Sequence, residues 1–188
     1  MNHTLFILLF SGFWIGCQQK DIIATEKQLT QTVTQTVIVP RPEKNKEITS
    51  AVQKWGPTIA PTYEKAVCTE LVIAILQKFV DVNPTDKQRI RIITKQNIQN
   101  LIKNSSPIPQ GVHYALIAKG AGTSIEKEDV LAGDFVQFWT ETWGHCGIVK
   151  SIDVENNQME LYSSFPSTNG YGIQKFSIPS YCYFVRLK

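Results

Sequence analysis

The chain is poor in histidine, with three in 188 residues, and poor in methionine, with two. Three imidazoles are too few for a histidine-rich metal centre, and neither a metal nor a cofactor is expected. Cysteine is sparse at four residues, which excludes a small fold stapled by many disulfides. Neither sign of charge dominates: 19 Lys and Arg stand against 16 Asp and Glu, a net charge of +3. That surplus is too small for a nucleic-acid footprint, so no such partner is expected. Long apolar runs are missing except at the N-terminus, which excludes a multi-span membrane protein. What is present suffices for a core. A hydrophobic fraction of 43% excludes wholesale disorder. The length allows one globular domain with a short appendage.

Residues 4–16, TLFILLFSGFWIG, carry no charge. The run is shorter than the roughly 20 residues a helix needs to span a bilayer, and it fits the apolar region of a secretory signal. Gly16-Cys17 closes it, followed by Gln18-Gln19-Lys20. A small residue directly before a cysteine resembles the bacterial lipoprotein lipobox, although Trp14 stands where Leu is usual. The resemblance implies lipidation of Cys17, a mature chain starting there, and anchorage in the cell envelope facing the periplasm or the cell surface. Ordinary secretion and a plain membrane anchor are the alternatives. Residues 17–49 are rich in Thr and Gln, with Pro40 and Pro42, and read as a flexible tether. A short strand over Thr30–Val39 would be broken by those prolines.

The domain is expected over residues 50–188. Val67, Leu71, Val72, Ile75, Leu76 and Phe79 recur at helical spacing, which predicts a helix over 63–80. A second helical pattern over 86–103 breaks in its middle, and a third helix covers 112–119 before Gly120. The period then changes to two. Strands are expected at 134–139, 145–152, 159–164, 173–178 and 181–187. Helices first and an antiparallel sheet after them define an α+β class.

Nucleophile and base candidates are few. Cys68 lies near the start of the first helix, where free N–H groups and the helix dipole favour a thiolate. It is either a nucleophile or a small core residue. His113, at the start of a helix, reads as a surface or capping histidine. His145 follows Trp143-Gly144 and opens a strand, where a base would be held rigidly. Cys146 follows it and should point to the opposite face of the strand. Cys146 and Cys182 either pair outside the cytoplasm or are separate core residues.

A helix cysteine, then Gly133-Asp134 before Phe135-Val-Gln-Phe-Trp139, then Gly144-His145-Cys-Gly-Ile-Val149, resembles the NlpC/P60 and CHAP cysteine peptidases. The resemblance covers roughly residues 55–188. It implies a papain-like fold, with helices packed on an antiparallel sheet, and amidase or endopeptidase activity on peptidoglycan peptides. Cys68 becomes the nucleophile, His145 its base, and the reaction passes through a thioester without a cofactor. Asp134 becomes a structural residue at the strand start. The third catalytic residue falls on the strand after His145, with Ser163 nearest the slot and Ser164, Asn169 or a backbone carbonyl as alternatives. Tyr63 is a candidate helper for the oxyanion, and Trp143 is placed at a groove rim. A monomer is expected. The alternatives are amide or ester hydrolysis or acyl transfer on another substrate, or an inactive cell-wall binding module of the same fold.

Overall fold

The computed structural model describes residues 42–188. The expected signal segment, Cys17 and most of the tether therefore lie outside the described residues. Five helices come first: α1 (Glu43–Ile59), α2 (Cys68–Leu76), α3 (Pro84–Ile90), α4 (Ile98–Lys103) and α5 (Val112–Lys119). Six strands follow: β1 (Gly122–Ile125), β2 (Phe135–Trp139), β3 (Gly144–Asp153), β4 (Gln158–Phe165), β5 (Gly170–Ser177) and β6 (Tyr181–Leu187). No described helix is long and apolar enough to cross a membrane.

The strands form one antiparallel sheet in the order β1-β6-β2-β3-β4-β5. Alternation along each strand divides the side chains between two faces. Phe135, Cys146, Ile148, Tyr162, Val185 and Leu187 join the buried residues of the helices in one core. α2 sits at its centre, which explains why Leu71, Val72, Ile75 and Leu76 are all fully buried. The other face carries a smaller cluster that includes Val136, Phe138, Val149, Leu161, Phe165 and Phe184.

The tether was expected to run to residue 49, but α1 begins at Glu43. Its buried residues are Asn45, Ile48, Val52 and Gly56, a helical stripe in which two of four members are not hydrophobic. Counting apolar residues misses such a stripe. Gly133 and Asp134 explain the buried Asn45. Asp134 is fully buried and accepts from Asn45 Nδ2 at 2.8 Å, Arg186 Nε at 2.8 Å and the Leu131 N–H at 2.8 Å. One carboxylate thus ties α1, β6 and the entry to β2 together. Gly133 has φ +95°, and a Cβ there would lie 2.3 Å from the Asn45 carbonyl oxygen.

Other elements differ from expectation at their ends. α2 is shorter than the helix expected over 63–80, because turns occupy both flanks. The first residue of α2 is Cys68 itself. β1 was not foreseen; its four residues pair with β6 at the sheet edge. α5 and β6 coincide with the segments expected for them, each delimited by glycine or by turn residues.

Candidate active site

The N-cap position of α2 is Val67, whose side chain offers no acceptor, so the first-turn N–H groups gain no side-chain cap. Free N–H groups and the positive end of the helix dipole meet at Cys68. The Ser164 hydroxyl donates to the Ala66 carbonyl and ties this helix start to β4. Ser164 therefore holds the start of α2 rather than the imidazole.

The β3–β4 ladder ends near the start of α2. The β3–β4 ladder runs from Asp153–Gln158 to Ile148–Tyr162 and stops. Beyond that point His145 and Cys146 pair only with β2, while Ser163, Ser164 and Phe165 pair only with β5. A side chain placed in that opening meets residues from both faces of β3. Cys68, His145 and Cys146 line one cavity, and Cys68 packs against the core cluster that holds Cys146. Alternation alone had set Cys146 apart from the site. The structure corrects this: Cys146 lines the same cavity as Cys68 and His145, although it packs on the face opposite the aromatic side chains around His145.

These contacts change the chemistry of the half-buried Cys68 thiol. The Cys146 hydrogen bond is the largest influence, and burial opposes it. The hydrogen bond and positive charge of His145 add to it, and together they hold the Cys68 pKa at about 4. Cys68 is thus a thiolate at neutral pH, the form that attacks carbonyl carbon. Cys146 is pushed well above the usual thiol range, first by its hydrogen bond to Cys68 and then by burial. One sulfur carries the charge and the other keeps its proton.

His145 is 7% exposed, and its Nε2 is buried without a hydrogen-bond partner. That leaves Nδ1 as the ring nitrogen available to a partner at the cavity. Ser163 does not fill the expected third position. Its hydroxyl donates to the Cys146 carbonyl at 2.7 Å, bridging the open strands. Asn169 is a left-handed turn residue with φ 48° before β5. What touches the imidazole is aromatic. Phe165 stacks on it with centroids 4.9 Å apart and planes 17° apart. Phe138 lies at 5.9 Å, Phe176 at 6.0 Å and Trp143 at 6.4 Å. The ring is oriented by packing on four aromatic side chains where a polar partner was expected.

A cavity of about 270 Å³ opens over the sulfur, lined by Cys68, Arg91, Gln137, Trp139, His145 and Cys146 among others. Arg91 forms a two-pronged ion pair with Glu70 of α2, at 2.7 and 2.9 Å. Trp139 Nε1 donates to the Pro109 carbonyl at 2.7 Å, fixing one wall. Gln137 is 2% exposed and stands opposite Cys146 in the β2–β3 register. Sequence reasoning passed over it, yet the signal was there: a glutamine at a buried, inward position of Phe-Val-Gln-Phe-Trp breaks an otherwise apolar strand.

Tyr63 and Trp143 are not among the cavity-lining residues. Burial first, and then the neighbouring Cys68 and Cys146 sites, raise the Tyr63 phenol, so Tyr63 is an O–H donor within electrostatic reach of the Cys68 sulfur. Trp143 is 45% exposed and packs edge-on against Phe138, on the aromatic side of His145. His113 is removed from Cys68: its Nε2 lies 3.0 Å from the Ser124 hydroxyl, and burial lowers its pKa. Cys182 is a free thiol packed in the second cluster, whereas Cys146 belongs to the first. The sheet separates the two, so the disulfide alternative fails and both are core residues. No group of three or more metal-ligating side chains occurs among the described residues. Compared with known proteins, the chain matches no family model and no curated protein.

Proposed function

We propose that this chain is a cysteine amidohydrolase of papain-like architecture that cuts amide bonds in peptidoglycan peptides. The observation that carries the reading is Cys68 at a helix start, lining one open cavity together with His145. In the proposed reaction the Cys68 thiolate attacks the amide carbonyl carbon. The oxyanion is met by the uncapped N–H groups of α2. The C–N bond breaks, the amine leaves with a proton from the His145 Nδ1, and a thioester remains. His145 then takes a proton from water, the hydroxide attacks the thioester, and the acid and free sulfur are released.

The substrate class and the lipid anchor on Cys17 rest on the sequence resemblance. A lipid-held domain would act within reach of its tether at the envelope. A second reading, a binding module of the same architecture, draws on the unpartnered Nε2 of His145. Incubation of the protein with purified sacculi separates the two. New amino termini that disappear in Cys68→Ala support the hydrolase. Sacculus binding without new termini, equal in wild type and Cys68→Ala, overturns it in favour of the binding module.

A further inference from the structure

Cys146 is not consumed by the proposed amide chemistry, yet it lines the same cavity as Cys68 and belongs to the cluster against which Cys68 packs. Its side chain is fully buried, while Cys68 is half-buried at the cavity. A small oxidant entering the cavity therefore meets the Cys68 sulfur first, and the second sulfur waits directly behind it. Cys68 and Cys146 line the same cavity and pack in one cluster, so side-chain rotation is the movement needed to bring the sulfurs toward the S–S bond length of about 2.05 Å. β3 is pinned here by β2 on one side and by the Ser163 hydroxyl on the Cys146 carbonyl on the other. The Cys146 sulfur is therefore held in place for the encounter. Cys182, the other thiol of the sheet, packs in the opposite cluster and has no such neighbour.

We propose that Cys68 and Cys146 form a reversible dithiol–disulfide couple that accepts oxidising equivalents from small hydroperoxides. Cys68 is the sulfur attacked and Cys146 the resolving thiol. In the first step the Cys68 thiolate attacks the terminal oxygen of the hydroperoxide. An S–O bond forms, the O–O bond breaks, and the alkoxide leaves and takes a proton from solvent. In the second step Cys146 gives up its proton and its sulfur attacks the sulfenic sulfur of Cys68. The S–S bond forms, the S–O bond breaks, and hydroxide leaves as water with that proton. Two thiols lose two electrons, and the hydroperoxide is reduced to an alcohol and water.

The low pKa of Cys68 supplies the thiolate for the first step. The neighbouring thiol diverts the sulfenic acid before a second oxidation can reach the irreversible sulfinic acid. The couple would silence the nucleophile under oxidising conditions and return it under reducing ones. The inference needs only the two sulfurs and stands apart from the proposed substrate.

The test treats the full-length protein with hydrogen peroxide, blocks free thiols with iodoacetamide and maps tryptic peptides. Peptides 66–78 and 128–150 carry Cys68 and Cys146. The expected result is a single cross-linked species of these two peptides, together with loss of alkylation at both, fully reversed by dithiothreitol. The Cys182 peptide, 176–186, should stay alkylated. In Cys146→Ala the same treatment should leave sulfinic acid on Cys68 that dithiothreitol does not reverse. Cross-linking in folded wild type decides the matter even if that variant fails to fold. Sulfinic acid on Cys68 of the wild type, with both peptides recovered unlinked, overturns the proposal.

Discussion

The charge on one sulfur is shared among three groups, and each makes a separable contribution. Removing Cys146 takes away the strongest hydrogen bond to the Cys68 thiolate. In Cys146→Ala the midpoint of Cys68 alkylation should move to higher pH, and labelling at pH 5 should slow relative to pH 8. An unchanged profile would mean that His145 and the helix suffice. The imidazole poses a different question, because it is held by stacking. Phe165→Leu keeps an apolar side chain but removes the face against which the ring lies at 4.9 Å. If the protein is the proposed amidohydrolase, turnover should fall by about 10- to 100-fold through misplacement of His145, with KM little changed. Phe165→Tyr, which keeps the ring, should retain most activity. Ser163→Ala should behave in the opposite way. It leaves the Cys146 carbonyl short of a partner and costs about 1–3 kcal/mol in urea unfolding, while kcat of the folded protein holds. A collapse of kcat in Ser163→Ala without loss of stability would return that hydroxyl to the catalytic set.

At the level of elements, the clearest signals in the sequence were those backed by local chemistry. α5 lies between Gly111 at φ +51° and Gly120 at φ +75°, and its limits were readable from them. The alternation of β2, β3, β4 and β6 was readable because each strand is half of a buried layer. α1 was hidden because its inward face relies on Asn45, whose partner is a carboxylate 89 positions away, and on Gly56, which lies against the Tyr171 ring. That carboxylate supplies an element-scale prediction. Asp134 is buried against the Arg186 guanidinium, which is 22% exposed at its side chain. Asp134→Ala should cost about 3 kcal/mol, read as a lower urea midpoint. Cys68 alkylation in the folded variant should not change, since the clamp holds the scaffold and not the sulfur. β1 was hidden for another reason: four residues at a sheet edge gain their structure from pairing with β6 rather than from their own pattern.

At the scale of the whole molecule, the candidates Cys68 and His145 could be named from sequence, but their setting could not. The parting of β3 from β4 beyond Ile148–Tyr162 depends on where a ladder ends, and no local pattern records that. Strand alternation rightly put Cys146 on the face opposite His145, yet it missed that Cys146 lines the cavity beside Cys68. It also sent Ser163 toward a histidine that the structure surrounds with Phe138, Phe165, Phe176 and Trp143. A cleft of this kind belongs to two elements far apart in sequence, a helix start near residue 68 and a strand start near residue 145. The account stands on what that junction does to one thiol. The direct measurement is the rate of iodoacetamide labelling at Cys68 in the folded protein from pH 3 to pH 10, resolved by peptide mapping. The prediction is a half-maximal rate near pH 4, a plateau through neutrality, and a fall only as the pH drops through that value. A rate that instead climbs through pH 8 to 9, as for an ordinary thiol, would contradict it.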